Sequence, residues 1–246
     1  MQLVKAKAGV VRMRIGILKT DDVRAQWVKQ YGEYSDMVIK LLRSVDATLE
    51  FVVYEVQHGQ YPATIDEVDA YVITGSKRSV YEDIPWIHQL TEFVRTLAAA
   101  KKKLVGICFG HQLIAQALGG KTEKSTNGWG VGCHTVQLSE HALKNIGGKP
   151  ALNLLVSHQD QVVIPAKDAE VLASSDFCRY AICQIGHYIL SFQGHPEFTV
   201  DYSRELLNIR PDTFGEPCYQ QGIASLDLPV DRQREAQWLV DFMRQS

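Results

Sequence analysis

The chain has 246 residues, too many for a disulfide-stapled miniprotein and enough for one large domain or one with an appendage. It is 46% hydrophobic and 22% charged, a balance that excludes long disordered, collagenous or low-complexity stretches. Its 26 basic and 28 acidic side chains leave a formal net charge of −2, so no global field draws it to nucleic acid or an anionic bilayer.

No run of about 18 apolar residues occurs, and Lys5 and Lys7 break the first seven residues before a secretory apolar region forms. The expectation is a cytoplasmic protein with no nucleic-acid or membrane partner. Five cysteines, Cys108, Cys133, Cys178, Cys183 and Cys218, form no C-x-x-C pair, which fits neither a disulfide framework nor a structural zinc site. Buried thiols are expected, one of them reactive.

Residues 13–18 and 49–54 read as strands. The helix between them takes Ser35 as its N-cap and Val38, Ile39, Leu41, Leu42 and Val45 as its apolar stripe. A third strand, 70–74, stops at Gly75-Ser76. The next helix is capped by Asp83, carries Pro85 in its first turn and turns Trp86, Leu90, Phe93, Val94 and Leu97 inward. Lys101, Lys102 and Lys103 close it as cations at a solvated C-terminus. Residues 104–107 are nearly all apolar, as in a central parallel strand covered on both faces, and lead into a helix from Phe109 to about Leu118.

This order predicts an α/β fold with an open, doubly wound, mostly parallel central sheet. Such sheets bind ligands at the carboxyl ends of their strands, where Gly75-Ser76 and Cys108 fall. Strand-like runs at about 131–138, 152–156, 169–174 and 187–193 predict antiparallel additions, with little helix before Thr199. Helices follow at about 200–209 and 231–244, and the stretch 208–229, with three prolines and two glycines, reads as an irregular loop. No repeat or linker divides the chain: a single domain over 1–246 is expected, with a core at about 13–198 and a helical extension at about 199–246.

The chemistry concentrates in Gly106-Ile107-Cys108-Phe109-Gly110-His111-Gln112. A strand turns sharply into a helix there, with a nucleophile at the corner and glycines two positions to either side, where side chains would clash. A helix N-terminus beneath the sulfur favours the thiolate. Downstream, Gln193-Gly194-His195-Pro196-Glu197 follows a strand. If the chain stays extended through Pro196, the i, i+2 spacing puts His195 and Glu197 on one side, so that a carboxylate orients an imidazole. Thiol, base and orienting acid are the parts of covalent acyl transfer.

With Thr74-Gly75-Ser76 and Ser157-His158-Gln159-Asp160-Gln161-Val162, these motifs make the sequence resemble the class I (triad) glutamine amidotransferases, flavodoxin-like in fold. The resemblance is strongest to stand-alone GMP-synthase-like members and related γ-glutamyl peptidases, and spans about Arg14 to Phe198. It implies Cys108 as nucleophile, His195 as acid/base and Glu197 as its orienter. It further implies an oxyanion hole from the N–H groups of Gly75 and Phe109, and contacts to the substrate's amino acid portion from Gln112, Ser157, His158 and Gln159. A strand-ending turn at Gly75 would look the same in sequence, and His158 with Asp160 stays open as an alternative base. His111 is assigned to helix packing, and His134 and the remaining histidines are read as incidental. Trp129 stands where relatives commonly carry a glutamate, which puts the pocket's selectivity in doubt.

The implied reaction is cleavage of the side-chain amide of glutamine or another γ-glutamyl amide through a γ-glutamyl thioester, with no metal or organic cofactor. Neither a G-x-x-x-x-G-K-[ST] phosphate loop nor an S-G-G-x-D motif occurs, so a separate ammonia-accepting synthetase subunit is one expected partner. Independent γ-glutamyl peptidase action is the other reading. A redox-sensing or binding module using the elbow cysteine is the reading from a different class. Self-association as a homo-oligomer stays open, as does a role for the extension in covering the site.

Overall fold

A computed structural model describes residues 12–245; the charge-broken segment 1–7 lies outside the described residues. In chain order the elements are β1 (Arg14–Lys19), α1 (Ala25–Tyr31), α2 (Tyr34–Arg43), β2 (Glu50–Glu55), β3 (Ala70–Ile73), α3 (Pro85–Ala99), β4 (Lys103–Ile107) and α4 (Phe109–Ala117). Next come β5 (Lys121–Lys124), β6 (Gly130–Leu138), α5 (Glu140–Ile146), β7 (Ala151–His158), β8 (Asp160–Ile164), β9 (Ala169–Ser174), β10 (Ile182–Ile185) and β11 (Ile189–Phe192). Four helices end the described chain: α6 (Val200–Asn208), α7 (Pro211–Phe214), α8 (Glu216–Ser225) and α9 (Arg232–Arg244). No helix among the described residues is long and apolar enough to cross a membrane.

Nine strands form one sheet in the order β2-β1-β3-β4-β11-β10-β9-β6-β7, and β5 pairs with β8 separately. Pairing is parallel from β2 through β11 and antiparallel beyond. The expected mostly parallel, doubly wound core with antiparallel additions is the one observed. Alternation along the strands explains why both faces are covered. Ile15 and Ile17 of β1 and Val72 of β3 pack with Val38, Leu41 and Leu42 of α2. Leu18, Tyr71 and Ile73 pack with Leu90, Val94 and Leu97 of α3 on the other face.

Several local expectations are corrected. Ser35 lies inside α2 and is buried; the cap is Glu33, in a capping box whose Asp36 carboxylate accepts from the Glu33 N–H at 2.9 Å. Asp83 does not cap α3, which starts from Ile84 with Pro85 in its first turn. Its carboxylate is exposed and meets His88 Nε2 at 2.8 Å instead. Of the lysine triplet, Lys101 adopts φ 52°, the left-handed turn that ends α3, while Lys103 already begins β4.

The stretch 208–229 is not an irregular loop but holds α7 and α8. Pro211 and Pro217 sit in first helical turns, where the absent N–H has no partner to lose, and Gly215 at φ 77° makes the break between the two helices. Helix also appears before Thr199, in α5, which Ser139 caps by accepting from the Ala142 N–H at 3.1 Å. These helices close over the antiparallel half: the Cys133 N–H of β6 donates to Ser225 Oγ at 2.8 Å. Trp238 of α9 meets Phe192 of β11 edge-on at 5.4 Å.

Candidate active site

The parallel strands β1, β3, β4 and β11 end on one rim of the sheet, and a cleft of about 530 Å³ opens there. At the end of β4 the Cys108 N–H still donates to the Phe192 carbonyl at 2.7 Å, and its carbonyl accepts from Gln112 in the first turn of α4. The price of so abrupt a turn is a strained backbone, φ 50° and ψ −99° at a non-glycine residue. Glycine is required on both sides: a Cβ at Gly106 would lie 2.7 Å from the Gly110 carbonyl, and one at Gly110 would lie 2.7 Å from that of Ile73. The elbow expected from sequence is therefore present, with the sulfur at the N-terminus of α4.

His195 and Glu197 come together, though not by an extended chain. The Phe198 N–H donates to the His195 carbonyl at 3.2 Å, a turn with Pro196 at its second position, where its fixed φ fits. The turn brings His195 Nδ1 to 2.8 Å from Glu197 Oε1, with both residues buried. Because an ionised carboxylate only accepts, Nδ1 carries the proton and the other ring nitrogen is left for the sulfur. Phe198 stacks flat on the imidazole at 4.0 Å and 7°.

Burial opposes a charge on His195, but the Glu197 carboxylate, the Cys108 sulfur and hydrogen bonds to both outweigh it. The imidazole pKa is held up to about 10. The site thus favours a charged imidazolium, held between the Glu197 carboxylate and the Cys108 sulfur.

Gly75 lies against both groups: a Cβ there would meet His195 Cε1 at 2.9 Å and Cys108 Cβ at 3.7 Å. The N–H groups of Gly75 and Phe109 have no protein backbone acceptor among the described residues. Two free donors flanking a sulfur are what a developing oxyanion needs.

The other expected residues line the cleft with different duties. Gln112 is buried, and its Nε2 donates to the Asp160 carbonyl at 2.8 Å and Gln193 Oε1 at 3.1 Å, tying the elbow helix to the start of β8 and to the residue after β11. Gln193 in turn places its Nε2 at 3.7 Å from the Cys108 sulfur. Ser157, His158 and Gln159 all line the cleft.

His158 does not form the alternative base. Its Nδ1 faces the Asp160 backbone carbonyl at 3.2 Å, while the Asp160 carboxylate accepts from Ser79 Oγ at 2.5 Å. Burial, then the nearby His134, push its pKa down to about 3, so it stays neutral. His111 is a packing residue, as expected, with Nδ1 at 2.8 Å from Ser191 Oγ. Trp129 lies on the cleft wall and meets Phe214 edge-on at 5.2 Å.

Sequence reasoning missed three groups. Thr20, Asp21 and Asp22 follow β1 on the rim that holds Gly75 and Cys108, a signal available from the strand order alone. Asp21 fixes the loop after Gly75, accepting from the Lys77 N–H and Nζ, each at 2.8 Å. Tyr34 lines the cleft from the start of α2. Tyr202, Leu206 and Arg210 line it from the extension, so the segment after Phe198 does cover the site.

A parallel-centred α/β sheet with a thiol elbow and a buried histidine–glutamate pair fits the class I glutamine amidotransferases that the sequence resembles. Comparison agrees: residues 28–207 match the family described as Glutamine amidotransferase class-I. The chain belongs to that family. It is 33% identical over 243 residues to a glutamine amidotransferase-like protein of Schizosaccharomyces pombe, covering 93% of this chain and 98% of that one. It is 31% identical to gamma-glutamyl peptidase 3 of Arabidopsis thaliana over 73% of each chain. It is also 31% identical to a component of the glutamine-hydrolyzing GMP synthase of Sulfolobus acidocaldarius, over 68% of this chain and 85% of that one. In fold it matches the crystal structure of a glutamine amidotransferase from Thermotoga maritima, with TM-score 0.76 at 16% identity over 96% of this chain and 99% of that one.

Proposed function

We propose that the chain is a cysteine hydrolase that cleaves the side-chain amide of glutamine or of a γ-glutamyl amide. The observation that carries this is the convergence of the Cys108 sulfur, the His195–Glu197 pair and the Gly75 backbone at one rim. The thiolate adds to the amide carbon, and the resulting oxyanion accepts from the Gly75 and Phe109 N–H groups. The imidazolium donates its proton to the leaving nitrogen, and the C–N bond breaks to give a γ-glutamyl thioester. The neutral imidazole then takes a proton from water, whose oxygen attacks the thioester, releasing glutamate and the thiolate. Glu197 holds the ring in register throughout.

A cleft of about 530 Å³ lies within the range that houses ligands larger than one amino acid. That size, with the likeness to gamma-glutamyl peptidases, favours independent action on γ-glutamyl amides. The likeness to a GMP synthase component supports ammonia donation to a synthetase as the second reading. Ser157, His158 and Gln159 line the substrate's amino acid end in either case, and the proposed setting is cytoplasmic.

The test incubates purified chain with glutamine and γ-glutamyl dipeptides and measures ammonia, glutamate and amine release beside Cys108→Ala. Turnover in the wild type and its loss by more than about 10³-fold in the variant are expected. Turnover that survives in Cys108→Ala overturns the reading. Selective peroxide oxidation of Cys108 with no turnover of any substrate identifies a redox sensor instead.

A further inference from the structure

The Cys108 sulfur has a polar neighbour besides His195. Gln193 Nε2 lies 3.7 Å from it, within reach of an N–H···S hydrogen bond. Gln193 is 1% exposed, too buried to meet substrate. The contacts around this amide decide which of its ends faces the sulfur. The Asp160 backbone carbonyl can only accept, so the atom 2.8 Å from it is the Gln112 nitrogen. The second hydrogen of that nitrogen is aimed at the Gln193 amide, at 3.1 Å, and Gln193 must answer with its oxygen. Its N–H side is thereby turned to the sulfur.

The backbone keeps the amide at this place. Phe192, the last residue of β11, pairs with Ile107 of β4 and accepts from the Cys108 N–H at 2.7 Å. The following N–H, that of Gln193, donates to the Ala181 carbonyl at 2.8 Å. Gln193 is therefore anchored beside the elbow by the sheet itself. A buried amide N–H aimed at sulfur is poorly satisfied by a thiol or a thioester, which are weak acceptors, and well satisfied by a thiolate.

We infer that Gln193 is a catalytic residue that donates its amide N–H to the Cys108 sulfur and stabilises it as a thiolate, with Gln112 as the positioning residue that keeps the amide the right way round. The consequence for turnover rests on the proposed amide hydrolysis. There the sulfur carries negative charge before it attacks and again when it leaves. In the second half-reaction the water oxygen bonds to the thioester carbon, His195 takes the water proton, and the C–S bond breaks with its electron pair going to sulfur. Gln193 moves no proton and supplies only the hydrogen bond.

The experiment measures alkylation of Cys108 by iodoacetamide at neutral pH, followed at the Cys108 peptide by mass spectrometry, which needs no turnover. Gln193→Met keeps the length of the side chain and removes the N–H. Gln112→Glu leaves position 193 intact but has no N–H to give, so the Gln193 amide turns round to donate to it and presents oxygen to the sulfur. In variants shown by cooperative thermal unfolding to be folded, each change is expected to slow alkylation by about tenfold. The double variant should be no slower than Gln193→Met alone, because both remove one interaction. If Gln193→Met does not fold, Gln112→Glu decides. Alkylation at the wild-type rate in either variant, or effects that multiply in the double variant, overturns the inference.

Turnover of γ-glutamyl-alanine supplies a second readout. Loss of the donor to the departing sulfur is expected to lower kcat by about ten- to a hundredfold with no rise in KM, and quenched samples should hold more γ-glutamyl thioester on Cys108 than wild type. A rise in KM without added thioester, the mark of a side chain that only packs, contradicts the role. Slowed alkylation in a protein that turns over no substrate supports the donor and removes only the hydrolytic reading; normal turnover and alkylation in Gln193→Met remove the donor and leave hydrolysis standing.

Discussion

The hydroxyl of Thr20 lies 3.1 Å from the carbonyl oxygen of Thr74, and the Thr20 N–H donates to Thr74 Oγ1 at 3.0 Å. Both residues are buried where β1 and β3 end. Because a peptide unit is planar, fixing the Thr74 carbonyl also fixes the direction of the Gly75 N–H on the other side of the bond. The same hydroxyl lies 2.8 Å from the Gly75 carbonyl, so Thr20 braces the proposed oxyanion donor from two sides without touching substrate. Thr20→Val keeps the shape and removes the brace. Steady-state kinetics on a γ-glutamyl substrate are expected to show kcat lowered by about tenfold, less than the 10²–10³ for losing a donor outright, with KM little changed. Thr20→Ser restores kcat; a Thr20→Val effect confined to KM contradicts the positioning role.

Glu197 orients His195 and sustains its charge, so Glu197→Gln should affect both rate and titration. A loss in kcat of about 10³–10⁴-fold is expected, as when an orienting carboxylate becomes an amide elsewhere. The imidazole pKa, held up to about 10 in the native protein, should drop by several units when followed by NMR of the ring. The linkage has a definite sign. A folded pKa raised above the ordinary 6.5 gives stability that is fully present below pH 6.5 and disappears as pH rises through 10. Wild-type unfolding free energy should decline across that window, and Glu197→Gln should flatten the part due to His195. An unchanged slope and ring titration would show that Glu197 does not hold the imidazolium.

The parallel core is legible in the sequence because its strands are short apolar runs and its ligand rim follows from strand order. The elbow and the histidine motif are legible because tight geometry restricts which residues can stand there. What escapes has physical causes. Pro211 and Pro217 read as breakers, yet proline in a first helical turn loses nothing, so the stretch holding α7 and α8 reads as loop. With it goes the place of Arg210 on the cleft wall, beside Phe214 and Trp129, the latter far away in sequence. Thr20 acts through a neighbouring strand, and no local pattern marks such a contact. The His195–Glu197 pair is expected from an extended chain but arises from a proline turn; a two-residue spacing admits both.

Glu235 of α9 is buried, 2% exposed, with its Oε1 unpartnered. Burial first, then the charges of Asp231 and Glu197, push its carboxyl pKa up to about 8, so at neutral pH it is mainly protonated. Between the ordinary 4.5 and 8 the unfolded chain releases a proton that the native state keeps, so stability falls as pH rises and the loss is complete above 8. Glu235→Gln removes that titration. Urea unfolding at pH 5 and pH 9 should show wild-type stability dropping with pH, and the variant recovering on the order of 3 kcal/mol at the higher value. A variant no more stable than wild type at pH 9 would mean that the native carboxyl ionises without penalty.

Gly110 tests whether the elbow tolerates any side chain on its helical side. A Cβ there would meet the Ile73 carbonyl at 2.7 Å and the Ile73 Cβ at 2.8 Å. Ile73 belongs to β3, paired on both sides by β1 and β4, so it cannot yield as a surface side chain would. Gly110→Ala must therefore push α4 outward or shift the end of β3, where Thr74 and Gly75 follow directly. Overpacking of this kind destabilises by about 1–3 kcal/mol, and the displacement should reach Cys108 and the Gly75 N–H together. Gly59→Ala is the contrast: its Cβ meets nothing within 4 Å, and only the positive φ of 75° opposes it. That change should cost about 1 kcal/mol and leave kcat unaltered. Thermal unfolding and kinetics of the two variants side by side separate packing at the elbow from simple backbone strain, and a Gly110→Ala protein with full kcat would show that α4 can move without carrying the sulfur with it.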